Sequence, residues 1–324
     1  MSSTYIEAIR RALGDALAED PRVFLYGQDI AGTFGGAFKA TKGLAERFPG
    51  RVLNSPISED GQAAVGIGAA LAGCRPVIEF QFADFASVAF NQMVNHAATH
   101  WWRTGVPVPA TFRLPAGGTP GGGPFHCQMV EGWLTSHPGL IVVAPATVGD
   151  AYHMLRDAIA CDDPVAYLEH KHLYNHLRID TDPSRAERLP LGKAAVRRAG
   201  RDCTVVSWSG MVHECLKAAE PLAEQGIEIE VIDLRCLRPL DTATVLASVE
   251  RTGRLLVATE SWPFGGVAAE LCAWISEHGF SHLDAPPRRL SAQDTPVPFH
   301  PDLFRAHHPD AARIAAAVVE TVEF

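Results

Sequence analysis

The stretch Asn54-Ser-Pro-Ile-Ser-Glu-Asp-Gly61, followed by a run of small residues and then by Glu79-Phe-Gln-Phe-Ala-Asp-Phe85, decides the fold. We predict a strand over residues 51–54 and a helix over residues 62–72, with Glu59 between them. This helix has almost no polar face, and a helix that is apolar all round is buried. We therefore expect Glu59 at the mouth of a dry interior, where the charged form of a carboxyl is disfavoured. A neutral carboxyl can donate a hydrogen bond.

A structural alternative explains the same residues without chemistry. Ser58 is a suitable N-cap, because its hydroxyl can accept a hydrogen bond from the first turn of the helix. Glu59 and Asp60 would then be placed there because acidic side chains favour the positive end of the helix dipole. The residues alone leave both interpretations open.

Length, composition and charge limit the class of protein. The chain has 324 residues, of which 47% are hydrophobic and 20% charged, which is typical of a globular protein long enough for two domains. A net charge of −9 without a long basic run argues against nucleic acid as a partner. No apolar run reaches about 18 residues, so no membrane span is expected. The chain starts without an export pattern, and its seven cysteines form no Cys-x-x-Cys pair, which predicts reduced thiols and a cytoplasmic location.

Strands and helices alternate twice along the chain, which predicts an α/β protein with parallel sheets covered on both faces. The first alternation covers residues 1–180, and residues 191–324 contain the second. Between them, residues 181–190 form a polar, proline-punctuated link. Within the first domain, the pattern of residues 84–102 predicts one long helix.

A glycine-rich loop over residues 117–123 leads to His126-Cys-Gln128. The loop matches neither of the common phosphate-binding glycine motifs, which favours a mobile loop beside a site over a phosphate cradle. His126 could hydrogen-bond an anionic substrate or transfer protons. A surface histidine without function is the alternative.

Aromatic residues mark the end of a predicted strand. Phe80, Phe82 and Phe85, with Gln81 among them, stand at its carboxyl end. Ligands of open α/β sheets bind at that edge. An aromatic core is the alternative interpretation.

These motifs together resemble one family, the beta subunit of the thiamine-diphosphate-dependent dehydrogenase component of 2-oxo-acid dehydrogenase complexes. The resemblance covers nearly the whole chain and includes the pyruvate, branched-chain and acetoin types. The matching segments are Phe34-Gly-Gly-Ala-Phe38, Pro56-Ile-Ser-Glu59, Glu79-Phe-Gln-Phe-Ala-Asp-Phe85, His126-Cys-Gln128, Leu168-Glu-His-Lys-His-Leu-Tyr174, Val231-Ile-Asp-Leu-Arg235, Glu260-Ser-Trp-Pro263 and Asp294-Thr-Pro-Val-Pro298. It implies a transketolase-like pyrimidine-binding domain followed by a transketolase C-terminal domain.

The resemblance also implies a role for each site residue. Glu59 would hydrogen-bond a ring nitrogen of the aminopyrimidine of thiamine diphosphate, and Phe85 would stack on that ring. Gln81 and Ile57 would line the same pocket. His126 would help to handle the substrate, a small 2-oxo acid, and the transfer of its acyl group to lipoyl.

Thiamine-diphosphate enzymes hold the diphosphate and its Mg²⁺ with Gly-Asp-Gly and a downstream Asn. Here Gly-Asp occurs at Gly14-Asp15 and Gly149-Asp150, and neither pair continues as Gly-Asp-Gly. The resemblance therefore implies an alpha subunit that brings the diphosphate and the metal in a two-plus-two heterotetramer. A lipoyl-bearing acyltransferase core would be a further partner. Without the alpha subunit the chain should be inactive.

Some positions depart from the family pattern. Gln28 and Asn91 stand where many relatives carry acids thought to link two active sites, which puts a proton relay between the sites in doubt. Family members also hold a monovalent cation such as K⁺ near Asp163, largely through backbone carbonyls, and Cys161 stands there where an Asp is common.

The substrate type is left open by the motifs. His126-Cys-Gln-Met129 and Glu169-His-Lys171 favour acetoin, whereas Gln81-Phe-Ala-Asp84 favours 2-oxo acids. A non-catalytic assembly subunit with a vestigial pocket is a rival from another class. The joint presence of Glu59, Phe85 and His126 argues against it.

Overall fold

The alternation of strands and helices is present in the structure, a computed structural model that describes residues 2–119 and 121–324. The strands are β1 (Ser3–Thr4), β2 (Val23–Gly27), β3 (Val52–Asn54), β4 (Arg75–Glu79), β5 (Thr111–Ala116), β6 (Ile141–Val143), β7 (Val165–His170), β8 (Arg178–Ile179), β9 (Ala195–Arg198), β10 (Cys203–Ser207), β11 (Ile229–Asp233), β12 (Cys236–Arg238), β13 (Leu255–Ala258) and β14 (Arg288–Leu290). The α-helices are α1 (Tyr5–Glu19), α2 (Leu44–Arg47), α3 (Glu59–Leu71), α4 (Ala98–Thr104), α5 (Glu131–Thr135), α6 (Val148–Ala160), α7 (Leu173–His176), α8 (Met211–Glu224), α9 (Thr242–Thr252), α10 (Val267–His278), α11 (Pro301–His307) and α12 (Ala311–Val322).

Two sheets organise these elements. The first has seven strands in the order β12-β6-β7-β5-β4-β2-β3, and the second has five in the order β14-β13-β10-β11-β9. Neighbouring strands run parallel except at β12 and β9, which pair antiparallel at one edge of each sheet. A small antiparallel pair, β1 with β8, lies apart. The prediction of an α/β fold with parallel sheets is confirmed.

Several inner strands are buried along their whole length, as expected for parallel sheets covered on both faces. Every residue of β7 and of β10 is buried. Helices α1 and α6 lie side by side on the first sheet, and α8 and α12 do so on the second. None of the helices in the described part of the chain is long and apolar enough to cross a membrane.

Helix α3 departs from the predicted burial on all sides. One face is buried, and Gly66 on it lies so close to β4 that a Cβ there would come within 2.3 Å of Ile78. The opposite face is exposed and carries Ala64, Val65, Gly68 and Leu71. The prediction that this helix is buried on all sides is wrong for the chain by itself. The chain covers one face of the helix and leaves the opposite apolar face exposed.

The region from residue 83 to residue 104 is not the single long helix that the pattern predicts. It contains a 3₁₀ helix over Ala83–Ser87, a π-helical stretch over Gln92–Ala97 and then α4. The carboxylate of Asp84 accepts hydrogen bonds from the backbone and side chain of Gln128. The 3₁₀ helix at the start of this region is therefore contacted by a segment distant in the sequence, and local periodicity does not reveal such contacts.

The polar link is held in place by a buried arginine. Arg235 donates hydrogen bonds to the carbonyl oxygens of Leu189 at 3.1 Å and of Lys193 at 2.7 Å, and it also pairs with Asp150. Strand β12 follows Arg235 directly and pairs with β6. The first sheet thus includes a strand from the second half of the chain.

Candidate active site at the carboxyl edge of the first sheet

Strands β2, β4, β5 and β7 all end at one edge of the first sheet, because they run parallel to their neighbours. Gln28 follows β2, Gln81 comes shortly after β4, Gly117 begins the loop after β5, and Lys171 follows β7. This edge is where open α/β sheets bind ligands. It collects residues from four separate places in the sequence.

Glu59 is the first residue of α3 and is only 9% exposed. Its Oε1 accepts a hydrogen bond of 2.9 Å from Nε2 of Gln28, which is 3% exposed. Ser58 occupies the N-cap position, but its side chain makes no capping hydrogen bond. The capping hydrogen bond of that alternative is therefore absent in this segment, although Glu59 and Asp60 do lie in the first turn, and the expected burial of Glu59 is present. No hydrogen bond from residues 2–119 or 121–324 reaches Oε2 of Glu59, which remains for a further partner.

The first turn of α3 is tied to strand β4 through Gln62. Its Nε2 donates to the carbonyl oxygen of Glu79 at 2.7 Å, and its Oε1 accepts from the hydroxyl of Ser55 at 3.0 Å. These bonds fix the position of Glu59 relative to the sheet edge. Sequence reasoning missed Gln62, since one glutamine in an alanine-rich helix forms no recognisable motif.

Three aromatic rings surround His126. The ring centroids of Phe82, Phe125 and Phe85 lie 4.6, 4.7 and 5.6 Å from that of His126. Phe82 and Phe85 also contact each other, at 5.6 Å. The structure therefore brings the predicted pair Phe85 and His126 together, with Phe82 as an additional neighbour. Phe80 lies in the core instead, as the alternative interpretation expects.

Aromatic rings from the second half of the chain pack on the glycine-rich loop. A Cβ on Gly118 would come within 2.3 Å of the Phe304 ring. One on Gly123, where φ is +72°, would come within 2.1 Å of Phe299. Both positions need glycine for this close approach. Packing explains these glycines, and Pro120 within the loop lies outside the described residues.

A buried ionic group, which we call the closed cluster, consists of Glu79, Arg113, Glu169 and Tyr174. Arg113 pairs with Glu79 and donates to both oxygens of Glu169, at 2.5 and 2.8 Å. Tyr174 donates to Glu169 at 2.7 Å. Burial raises the pKa of Glu79, and the charge of Arg113 opposes that rise. The cluster joins the ends of β4, β5 and β7.

The end of β7 contributes two more buried groups. Lys171, 7% exposed, donates from Nζ to the carbonyl oxygen of His126 at 2.7 Å. Burial lowers the pKa of Lys171. Nε2 of His170 lies 2.7 Å from Oε1 of Glu260, and Oε2 of Glu260 accepts from the backbone of Gly118 at 3.3 Å. The second half of the chain thus contacts the loop that leads to His126.

The remaining predicted site residues are more exposed. Ile57 is 83% exposed, and Gln81 is half-buried. Asn91 is exposed and accepts a hydrogen bond from Asn95 at 3.0 Å. Asp163 is exposed and comes just before β7, so it lies at the opposite edge of the sheet from the other site residues.

The surroundings of Asp163 bear on the predicted cation site. Nη1 of Arg75 donates to the carbonyl oxygens of Ile159 at 3.2 Å and of Cys161 at 2.9 Å, and Arg75 also pairs with Asp162. A guanidinium therefore already satisfies two backbone carbonyls near Asp163. Across residues 2–119 and 121–324, no group of three or more His, Cys, Asp or Glu side chains is arranged to hold a metal ion. The cation site stays a prediction.

Two family descriptions match the sequence. "Transketolase, pyrimidine binding domain" matches residues 2–176, and "Transketolase, C-terminal domain" matches residues 192–314. A solved structure described as "Split gene transketolase, inactive beta4 tetramer" superposes with a TM-score of 0.81 at 23% identity, covering 99% of this chain and 98% of the other. That likeness supports the fold with two α/β sheets.

Curated relatives are similar over nearly the full length. The pyruvate dehydrogenase E1 component subunit beta-1 (mitochondrial) of Arabidopsis thaliana is 42% identical over 97% of this chain and 88% of its own. The 2-oxoisovalerate dehydrogenase subunit beta of Bacillus subtilis is 40% identical over 99% of both chains. The 3-methyl-2-oxobutanoate dehydrogenase subunit beta of Mycobacterium tuberculosis is 44% identical over 92% of this chain and 86% of its own.

Proposed function

Since the chain belongs to the family of 2-oxo-acid dehydrogenase β subunits, which are built from the two transketolase-type domains, we propose that it is the β subunit of a thiamine-diphosphate-dependent dehydrogenase. The reaction is the oxidative decarboxylation of a 2-oxo acid, with transfer of the acyl group to the lipoyl group of an acyltransferase core. One observation carries the proposal: a buried carboxyl, Glu59, and an aromatic pocket around His126 share one sheet edge.

The residues at this edge fit the pyrimidine half of thiamine diphosphate. The Gln28 amide occupies one oxygen of Glu59, so the other oxygen is left for a ring nitrogen. Phe85 is half-buried and therefore offers a ring face to a flat heterocycle. Gln81 is also half-buried, beside Phe82 at the same strand end. When bound, the cofactor supplies the nucleophilic carbon and the electron sink for decarboxylation.

The chain's own residues would do three things in this reaction. Glu59 would hold a proton or a hydrogen bond at the pyrimidine nitrogen from a buried position. Phe82 and Phe85 would exclude water from the reacting atoms. His126 would hydrogen-bond the substrate and pass a proton during acyl transfer, since imidazole can act as donor and acceptor.

We assign the diphosphate, its Mg²⁺ and the missing wall of the pocket to an alpha subunit. The exposure of Ile57 supports this assignment, because a cofactor-contacting residue should be covered in the active assembly. The apolar exposed face of α3 supports it too, since exposed apolar patches commonly mark protein interfaces. A two-plus-two heterotetramer would cover both surfaces.

The pyruvate and branched-chain relatives are similar to this chain to nearly the same degree, so we propose a 2-oxo acid of either type as the substrate. Acetoin is the alternative of the same chemistry. K⁺ near Asp163 and a cytoplasmic location are further proposals. The second is supported by the seven cysteines, which are all free, as thiols are in a reducing compartment.

The test is reconstitution of the chain with an alpha subunit that bears Gly-Asp-Gly and a downstream Asn. We expect turnover with pyruvate or 3-methyl-2-oxobutanoate in the presence of thiamine diphosphate and Mg²⁺. The chain alone should show none. Turnover of acetoin only would select the acetoin alternative, and absence of turnover with all three substrates would favour a non-catalytic assembly subunit.

A further inference from the structure

Two buried side chains of opposite charge hold the segment around His126. Lys171 donates to the carbonyl oxygen of His126 at 2.7 Å. Asp84 accepts from the backbone and side-chain nitrogens of Gln128, at 3.2 and 2.7 Å. Both residues are buried, Asp84 to 3% exposure. The segment is therefore held at His126 by the residue that follows β7 and at Gln128 by a residue of the 3₁₀ helix after β4.

The burial of the Lys171 ammonium is energetically unfavourable and needs an explanation. Moving an ammonium out of water costs several kcal/mol even after relaxation. Its compensation here is a carbonyl oxygen, the ring of Phe82 at 5.5 Å from Nζ, and the more distant carboxylates of Asp84 and Glu260. A methionine would fill similar space without that cost. The hydrogen bond that the buried ammonium donates goes to the backbone of His126.

We propose that Lys171 is a positioning residue for His126. Its hydrogen bond fixes the backbone of His126 so that the imidazole stays against Phe82 and Phe85. The proposal rests on the proposed function, in which His126 handles the substrate and the acyl group. Lys171 itself touches neither, and it acts only through the placement of that imidazole.

The first test is Lys171→Met in the chain reconstituted with its alpha subunit. A displacement of a reacting group by about 1 Å can cost about 100-fold in rate, so we expect kcat for acyl transfer to fall by about ten- to 100-fold. KM for the 2-oxo acid and the affinity for thiamine diphosphate should stay within about threefold, because Glu59 and Phe85 are untouched. The matched control is Lys217→Met, an exposed lysine on α8 paired with Glu214, which should leave kcat unchanged.

The second test is a double-variant comparison with His126→Ala. If Lys171 acts through His126, the double variant H126A/K171M should have the kcat of H126A alone. A further loss equal to that of K171M by itself would overturn the positioning role, as would a K171M enzyme with the kcat of the unaltered one. H126A with full turnover would instead contradict the function proposed for His126, and with it the role of Lys171. Should K171M fail to assemble, Lys171→Gln keeps a shorter donor and carries the same comparison.

Discussion

Glu59 and Glu79 are both buried carboxyls near the same sheet edge, and they differ in their partners. Glu79 belongs to the closed cluster, where Arg113 supplies a full positive charge and no partner from outside the chain is needed. Glu59 has only the neutral amide of Gln28, and its neighbour Ile57 is exposed. The chain thus supplies the cation beside Glu79 itself, while the edge around Glu59 stays open to a partner that the chain does not contain.

Burial alone does not distinguish a residue that supports the fold from one that is available for chemistry. The partners of the buried carboxyl do. In the closed cluster the chain itself supplies the cation that faces its buried carboxylates. A buried carboxyl with a spare oxygen at the rim of an apolar surface has both a hydrogen-bonding site and a dry environment. Substitutions in the two regions should accordingly affect different measured quantities.

The largest effect is expected from Arg113→Met in the closed cluster. The substitution leaves Glu79 and Glu169 buried without their cation, which should lower the free energy of unfolding by about 3–5 kcal/mol. Denaturant unfolding of the purified chain measures it. The exposed pair of Arg201 with Asp202 provides the control, since Arg201→Met should cost no more than about 1 kcal/mol. A loss below 1 kcal/mol for Arg113→Met would show that the cluster does not stabilise the fold.

Glu59→Gln should lower kcat and leave the free energy of unfolding nearly unchanged. The new amide can still accept from Gln28 but cannot hold a proton at the cofactor, so we expect kcat of the reconstituted enzyme to fall by about 100-fold or more. The free energy of unfolding should change by less than about 1 kcal/mol. Asp60→Asn, one residue further in the same helical turn, is the matched control and should retain at least about half of the activity. Equal activity of the Gln variant and the unaltered enzyme would remove Glu59 from the mechanism.

A third buried carboxyl, Glu131, should make the free energy of unfolding depend on pH. It is fully buried, it accepts from the hydroxyl of Ser261, and burial raises its pKa to about 8. A raised pKa in the folded state means that the stabilisation is complete below the unfolded value of about 4.3 and is lost as the pH rises through 8. From pH 6 to pH 8 the unaltered chain should therefore lose about 2 kcal/mol relative to Glu131→Gln.

Urea unfolding of both proteins at these two pH values measures the difference. Glu277→Gln, at an exposed position of α10, is the control and should show a difference that does not depend on pH over this range. A parallel pH dependence of Glu131→Gln and the unaltered chain would mean that Glu131 is not the titrating group.

The smallest effect should come from Gln28→Leu, which removes the donor to Glu59 and leaves the carboxyl in place. A single hydrogen bond contributes about 1 kcal/mol, so kcat should fall by about fivefold. Gln28→Glu is a second variant of the same position and places a carboxyl against Glu59. Two carboxyls in contact cannot both ionise, so one of them must bind a proton. Activity unaffected by both substitutions would show that Gln28 does not orient Glu59.

Much of the fold follows from patterns that are local in the sequence. Buried strands such as β13 are continuous apolar runs, and α1 shows its apolar residues at helical spacing, so their type and order could be predicted. The change from 3₁₀ to π-helical and then α-helical structure over residues 83–104 could not, and the contact of Asp84 with Gln128 at its start joins segments far apart in the sequence. The exposed face of α3 could not be predicted for another reason. An apolar sequence indicates that a helix face will be covered, but not whether the same chain or another one covers it.

The candidate site shows the same limit. The residues alone left alternatives open for Glu59, Phe85 and His126, and these three could be named because their motifs together resemble one family. Gln62 and Lys171 could not, because their importance lies in hydrogen bonds to backbone atoms that come close only in the folded chain. Backbone contacts of this kind leave no periodicity or spacing in the sequence, which is why the supporting residues are recognised only in three dimensions.

Strand β12 has a consequence for how the chain can be divided. This strand comes from the second half of the chain and pairs with β6. Arg235, just before the strand, donates a hydrogen bond to Leu189 of the polar link. A protease that nicks residues 181–190 should therefore leave both pieces associated. An amino-terminal piece made by itself would present the bare edge of β6 to other molecules, and unprotected strand edges promote aggregation. The two halves, distinct as they are in sequence, should melt as one cooperative unit.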